Sequence, residues 1–372
     1  MSNCSLNKVC RVCFVITGLG MGGAEKQVCD LADSLSIGNI DIIIINLTGE
    51  AILKPVSSNV TIYSINMKKN LMGFISALLK VRRILARFKP DIVHSHMYHA
   101  NIFSRILRLT YPFPKLICTA HNTNEGGRIR MLLYRITDFL ATISTNVSQE
   151  AVVAFGKNKA VKKGRMLLVY NGIDTNKYKF SEDARYKKRK ELSITDNDRL
   201  ILAVGRLTAA KNYHNLLLAF SMLPCKDNVF LAIAGDGEDK ISLINLAMEL
   251  NINDHVLWLG LRYDISELMS AMDIYAMSSS WEGMPLVLCE AMSCGGKVIA
   301  TDCGGVKEII GDAGMIIERD NPRRLADGID FLLKSDRVDR NRCSCQARER
   351  ILLNYSLESV SARWLSLYTS KV

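Results

Sequence analysis

Short runs of β-branched and aliphatic residues alternate with stretches of helical length and periodicity along almost the whole chain, and this alternation restricts its fold more than any other feature. Strand candidates lie at residues 9–17, 40–47, 61–65, 92–95, 116–120, 142–144 and 166–169. A second series follows at 200–204, 229–234, 256–259, 274–277, 298–301 and 315–317. Strands that repeatedly give way to helices pair in parallel, because each return to the sheet edge needs a crossover; the expected class is α/β with doubly wound parallel sheets. Residues 181–199 separate the two series and are rich in charge but poor in apolar side chains, which predicts a hinge and two domains, 1–180 and 181–372. A chain of 372 residues is long enough for two cores. The last helix is expected over about 344–367, long enough to pack back on the first half.

Composition excludes several classes. With 48% apolar residues, 7 Pro and 24 Gly, the chain is neither disordered nor fibrous. No apolar run reaches the roughly 18–20 residues of a membrane-spanning helix. The apolar stretch after Arg11 enters a glycine loop rather than a small-residue cleavage site, so no signal peptide is expected and the protein is placed in the cytoplasm. Its 11 cysteines, odd in number and scattered, are expected to be reduced. Cys10 and Cys13, three apart on one strand, point to opposite faces and cannot share a metal.

The net charge of +11 is unevenly spread: residues 1–180 carry 24 Lys and Arg against 10 Asp and Glu, whereas 181–372 carry 24 against 27. A basic first half suggests a polyanionic partner, either nucleic acid or an anionic membrane surface. Residues 68–89 are the densest stretch, with Lys68, Lys69, Lys80, Arg82, Arg83, Arg87 and Lys89 and no acid. Apolar residues there recur at spacings of three and four, which predicts an amphipathic basic helix. The basic stretches lack interleaved aromatic platforms, which argues against nucleic acid.

Two clusters carry chemistry. The first strand runs into Gly18-Leu19-Gly20-Met21-Gly22-Gly23 before a helix, formally a dinucleotide-binding fingerprint. A nicotinamide site would also need an acid at the end of the second strand; that strand ends Ile45-Asn46-Leu47, so phosphate or acceptor contact, or a tight structural turn, is the better reading. In the second half, Gly205-Arg206-Leu207-Thr208-Ala209-Ala210-Lys211-Asn212 sets two cations at a strand's carboxyl end, where they can converge on a diphosphate. The stretch Ser278-Ser279-Ser280-Trp281-Glu282-Gly283-Met284-Pro285-Leu286-Val287-Leu288-Cys289-Glu290 places one carboxylate in a Gly/Pro loop and a second on the helix that it opens, about two turns along. The N–H groups of Met284, Leu286 and Val287 can point at a phosphate there, and Glu290 can accept from ribose hydroxyls.

Together with Ala234-Gly235-Asp236-Gly237, Leu259-Gly260, Ala300-Thr301-Asp302-Cys303-Gly304-Gly305, Gly22-Gly23-Ala24-Glu25, Ala120-His121-Asn122 and Tyr170-Asn171-Gly172-Ile173-Asp174, these segments resemble glycosyltransferase family 4 over essentially the whole chain. The resemblance implies the GT-B architecture: two Rossmann-like domains facing a deep cleft, acceptor on the first and nucleotide sugar on the second, the C-terminal helix packing back on the N-terminal domain. It implies a retaining transferase that moves a hexose or N-acetylhexosamine from a UDP-sugar to a polyprenyl-diphosphate-linked glycan in surface-polysaccharide (O-antigen or capsule) synthesis, peripherally bound to the inner face of the membrane. Arg206 and Lys211 would neutralise the leaving diphosphate, helped by backbone N–H groups at Gly23, Met284, Leu286 and Val287, with Gly283 and Pro285 also against the donor, so that no metal or other cofactor is needed.

Glu290 resembles the ribose ligand, Glu282 the residue that grips the transferred sugar, and His121 the histidine near the reacting centre. Arg262 is assigned to the donor, and Gly22, Glu25 and His96 to the acceptor. His94 and His99 share a loop cluster with His96 in this reading, and Asp196-Asn197-Asp198, formally D-x-D, is a solvated loop in the hinge. Lys297, after Gly296, stands where the family usually has Pro, which predicts a looser turn. Arg105, Arg108, Lys115, Arg128 and Arg130 are expected to join the basic helix in attracting anionic headgroups. The alternatives are a nicotinamide-dependent oxidoreductase, a UDP-sugar epimerase of the same architecture, and a nucleic-acid-binding protein.

Overall fold

The computed structural model describes residues 10–38, 40–123, 125–335 and 337–370, and for 337–344 the backbone alone; Val9, the first residue of the first expected strand, lies outside them. All thirteen expected strands are present, their ends shifted by one or two residues at most. They are β1 (Cys10–Ile16), β2 (Ile40–Asn46), β3 (Val60–Ser64), β4 (Ile92–His96), β5 (Lys115–Ala120), β6 (Ile143–Asn146), β7 (Met166–Leu168), β8 (Arg199–Val204), β9 (Val229–Ala234), β10 (Val256–Gly260), β11 (Ile274–Met277), β12 (Lys297–Thr301) and β13 (Met315–Ile317). The helices between them are α1 (Gly23–Ser36), α2 (Leu71–Phe88), α3 (Tyr98–Thr110), α4 (Arg128–Thr137), α5 (Gln149–Lys157), α6 (Glu182–Glu191), α7 (Tyr213–Ser221), α8 (Lys240–Glu249), α9 (Ile265–Ala271), α10 (Leu286–Ser293), α11 (Val306–Ile310), α12 (Pro322–Lys334), α13 (Arg337–Asn354) and α14 (Leu357–Thr369).

Two parallel sheets result, with strand orders β3-β2-β1-β4-β5-β6-β7 and β10-β9-β8-β11-β12-β13. Their central strands are buried on both faces: in β1, Val12, Phe14 and Ile16 enter one core, and Cys13 and Val15 the other. In each sheet the direction of winding reverses beside the first strand, between β1 and β4 and between β8 and β11. Loops leaving adjacent strands diverge there, which opens the crevice where such folds bind ligands.

The chain divides into two compact units, Ile173–Ser356 on one side and the residues up to Gly172 with those from Leu357 on the other. The charged stretch expected as a hinge from residue 181 is helix α6 of the second unit. Its arginines are braces: Arg185 and Arg189 donate to the Ala271 carbonyl, at 2.8 and 3.0 Å, and both meet the Asp273 carboxylate. Lys188 and Arg189 can be buried here because each finds carboxylate partners. Asp198, placed in a solvated loop by the sequence reading, is also buried; it accepts from the Thr195 N–H and hydroxyl at 2.6 and 2.7 Å.

The single last helix is in fact two. The chain breaks after Asn354, where Ile173 donates to the Tyr355 carbonyl, and resumes as α14, which packs on α1 in the first unit through Val360, Trp364 and Tyr368. Lys115 closes that end: its ammonium meets the carbonyls of Leu367, Tyr368 and Ser370 at 2.9, 3.1 and 2.6 Å, a cation at a helix C-terminus. Lys115 is therefore not a headgroup ligand. Arg105 is not one either, being wholly buried and bonded to Tyr134, Thr137, Asp138 and Ser144; Arg108 braces Pro114, Leu140 and Thr142. Arg130 is folded under its own loop, over the Tyr98 ring. Of that group Arg128 is exposed.

The turn at Gly296-Lys297 is tight. Gly295 and Gly296 donate to the Met292 and Ala291 carbonyls at 3.0 and 3.1 Å, and the Lys297 ammonium reaches the Leu332 carbonyl at 2.9 Å and the Ser335 hydroxyl. A buried lysine thus supplies the tether that a proline would have supplied through its ring.

Candidate functional site

In the second unit the β8–α7 and β11–α10 loops flank the reversal in winding, and hydrogen bonds hold them to each other and to their neighbours. Leu207 donates to the Asp236 carbonyl and Gly235 to that of Gly260, at 3.0 and 2.8 Å. Ser280 donates to the Ala210 carbonyl at 2.9 Å, and the Ser278 hydroxyl to that of Lys211 at 3.0 Å. Gly305 donates to the Gly283 carbonyl at 2.9 Å, and Thr301 to that of Ser279 at 2.6 Å. Two glycines make this possible. Gly235 has φ +156°, and a Cβ there would overlap the Gly205 carbonyl; Gly304 has φ +53°, and a Cβ there would overlap the carbonyls of Glu282 and Gly283.

On this scaffold Lys211 meets Glu282 at 2.5 Å, and the Ser279 hydroxyl donates to the same carboxylate oxygen at 2.7 Å. The Lys211 chain lies against Gly205, where a Cβ would crowd its Cε. The two groups that the sequence assigns to diphosphate and sugar neutralise each other. Arg206, on the same β8–α7 loop as Lys211, is exposed.

Helix α10 opens at Pro285 without a side-chain cap, leaving the first-turn N–H groups of Leu286 and Val287 for an anion. Met284 and Gly283 precede it in the same loop. Glu290 is buried, on the fifth residue of α10 and so little more than one turn along rather than two. Arg262, assigned to the donor, is engaged elsewhere: its guanidinium meets Asp264 at 2.7 and 2.5 Å and Glu191 at 2.7 Å, and Lys188 joins the cluster. Ser279 was not singled out from the sequence, although its spacing of three from Glu282 was the available signal.

In the first unit, Gly22 and Gly23 open α1, and Glu25 folds its carboxylate back over Gly22, where a Cβ would overlap it. The acid occupies its own helix N-terminus, so an anion binding there must first displace it. Asn46, at the position where a dinucleotide site needs an acid, gives its amide to the Gly49 carbonyl. His94 and His96 are buried on β4 rather than on a loop, and His99 is on α3. His94 bridges the Tyr368 and Thr119 hydroxyls at 2.7 Å each. His96, expected to touch acceptor, is too deeply buried to do so; its Nδ1 lies 3.1 Å from His121 Nε2. His121 is half-buried at the end of β5, its pKa pushed down to about 4 by burial. At neutral pH it is an uncharged hydrogen-bonding group, not an acid.

Glu125, four residues on, is buried, and burial pushes its pKa up to about 7. These shifts predict acid sensitivity. Burial also holds the pKa of His94 and His96 well below the ordinary value. As pH falls below ~6.5 the unfolded chain binds protons that these three folded histidines refuse, so stability falls with pH. Glu125 acts oppositely, its contribution being lost as pH rises through 7, and offsets about one histidine. The unfolding free energy of the first unit, read from its urea transition, is expected to be lower at pH 5.5 than at 7.5, by up to ~1.4 kcal/mol per pH unit for each uncompensated histidine. An unchanged free energy would contradict the burial of these rings as neutral groups.

Residues 21–177 match the family model described as Glycosyltransferase Family 4, and residues 184–350 that described as Glycosyl transferases group 1. The chain is 27% identical over 301 residues to N-acetyl-alpha-D-glucosaminyl L-malate synthase of Bacillus anthracis, spanning 78% of this chain and 77% of that protein. It is 25% identical over 342 residues to a Campylobacter jejuni N-acetylgalactosamine-N,N'-diacetylbacillosaminyl-diphospho-undecaprenol 4-alpha-N-acetylgalactosaminyltransferase, spanning 87% and 90%. The structure of Anabaena HepE in complex with UDP and glucose superposes with a TM-score of 0.85 at 21% identity, over 97% of this chain and all of that one. The first half of the chain is thus a Glycosyltransferase Family 4 domain, the second a glycosyl transferases group 1 domain, and the whole a glycosyltransferase of GT-B architecture.

Proposed function

We propose that this enzyme is a retaining, metal-independent transferase that moves a hexose or N-acetylhexosamine from a UDP-sugar to a sugar hydroxyl of a polyprenyl-diphosphate-linked glycan in surface-polysaccharide synthesis. The observation that carries the donor reading is the Lys211–Glu282 pair with Ser279, together with exposed Arg206 on the same loop as Lys211 and the uncapped N-terminus of the helix that follows Glu282. Two cations and a helix terminus supply the charge stabilisation that a diphosphate leaving group needs, while Glu282 and Glu290 offer acceptors to sugar and ribose hydroxyls. No side chain of the second unit's motifs is an evident nucleophile, so the departing phosphate takes the acceptor's proton on the face that it leaves, which retains configuration. The Campylobacter relative, named for a lipid-diphosphate acceptor, supports the acceptor class, and the HepE complex supports UDP.

UDP-glucose, UDP-galactose and their N-acetylated forms, each assayed for UDP release with and without polyprenyl-diphosphate glycans, test this reading. Acceptor-dependent UDP release from one of them is expected. Transfer to small hydroxy acids instead would overturn the acceptor, and donor interconversion without any acceptor would point to an epimerase.

A specific observation favours docking of the first unit on an anionic cytoplasmic membrane face. Helices α2 and α4 both pack on α3, and their apolar residues are in excess of what that packing covers. Leu71, Met72, Ile75 and Leu79 are exposed on α2 between Lys69 and the Lys80, Arg82, Arg83 group; Ile129, Leu132 and Ile136 are exposed on α4 beside Arg128 and Arg135. Met72 and Ile129 keep 75% and 78% of their surface. Apolar rows flanked by cations suit an interface of acyl chains and anionic headgroups, at about 1 kcal/mol per cation. Sedimentation with phosphatidylglycerol vesicles at low salt is expected, weakened at high salt and by Ile75→Glu with Leu79→Glu; no sedimentation at low salt would end the idea.

A further inference from the structure

We propose that Glu125 is a positioning residue of the transfer reaction, holding His121 in place from within the β5–α4 loop. The proposal rests on the reading of His121 as a contact to the reacting sugar. The Glu125 carboxylate accepts from the His121 backbone N–H and from the Asn122 side chain, so that it closes the loop onto the end of β5. Its Oε1 is buried with no hydrogen-bond partner, an arrangement that disfavours the ionised side chain. A leucine would leave the His121 N–H and the Asn122 side chain without their acceptor, and a glutamine would bury an amide donor where Oε1 has no partner, so packing alone does not account for a carboxyl at this position.

The surroundings hold the loop from the other side. Arg130 Nη1 donates to the Glu125 carbonyl at 3.0 Å, and its guanidinium lies 4.9 Å from the centre of the Tyr98 ring. Gly126, at φ +96°, gives that guanidinium room, because a Cβ there would crowd Arg130 Nη1. The groups that face the carboxylate are His121 and Asn122 from its own loop, Arg130 and Tyr134 from α4, and Tyr98 from α3. Arg130 is the one charged group among them, and it is already bonded to the backbone carbonyl of Glu125. The side chain is therefore directed at His121, whose own ring is fixed from behind by His96. Loop and ring are held at separate points, and the orientation of His121 depends on both.

A double-mutant cycle separates this role from a general structural one. Glu125→Gln keeps shape and one acceptor oxygen, and is expected to lower kcat of donor turnover about tenfold, with KM within about twofold and an unchanged melting temperature, the cost of displacing a contact group by a fraction of an ångström. In a His121→Ala background the same change is expected to have no further effect. If the two losses multiply, or if Glu125→Gln retains wild-type kcat, the positioning role of Glu125 is wrong while that of His121 stands. If His121→Ala itself turns over at the wild-type rate, the assignment of His121 is wrong, and the coupling goes with it.

Discussion

Lys211→Ala is expected to lower kcat/KM by about 10²–10³, or roughly 3–4 kcal/mol, without unfolding the second unit. Two consequences add. The cation proposed to face the leaving diphosphate is lost, and Glu282, which lies mostly covered with a 2.5 Å bond to the lysine, loses its partner. Ser279 still donates to the carboxylate, so the loop retains its position and the melting temperature should move little. Lys211→Arg should recover part of the rate, because a planar fork on a shorter stem cannot occupy the position of the ammonium against Gly205. Arg206→Ala should also lose turnover, but with no change in Glu282, since the two are not paired. Near wild-type turnover in Lys211→Ala would make the diphosphate assignment wrong.

The second large effect is expected from a methyl group. Gly304→Ala must relieve an overlap with the Glu282 and Gly283 carbonyls at a backbone conformation that costs a side chain roughly 1–2 kcal/mol. The Glu282 loop is the element able to give, because the Gly305–Gly283 hydrogen bond is its attachment there. Turnover is expected to fall at least tenfold through displacement of Glu282. Gly164→Ala is the control: φ is +78°, but nothing lies within reach of the new methyl, so only the backbone cost applies and activity should be unaffected. Equal activity losses in both variants would show that strain, and not the position of the Glu282 loop, is responsible.

Much of the site was legible because its chemistry is local in sequence. Gly205 to Asn212 lie on one strand-to-helix loop and Ser279 to Glu290 on another with the start of its helix, so spacing alone puts Arg206 and Lys211 on one loop and sets Glu282 ahead of α10. Legibility failed where a charge is satisfied by something distant. Arg105 and Lys115 looked like free surface cations, yet one is bonded to residues about 30 positions away and the other to the end of α14. Arg262 looked available and is held by Asp264, two residues on, and by Glu191, 71 residues back. His96 looked like a loop histidine and proved to be the inner support of His121. Glu125 carried no signal, because a Glu before two glycines is ordinarily a surface residue, and only its burial sets it apart.

By itself the sequence determined the alternation of strands and helices, the two parallel sheets and the loops proposed to carry donor chemistry, since each follows from periodicity and spacing within a few dozen residues. The tertiary structure alone decided which charges are spent internally. It broke the last helix at Tyr355, turned the charged stretch after Ser181 into α6 with its buried arginine ties, and paired Lys211 with Glu282. The physical reason is that a charged side chain's role depends on its partner, and partners are supplied by chain segments that local pattern does not bring together.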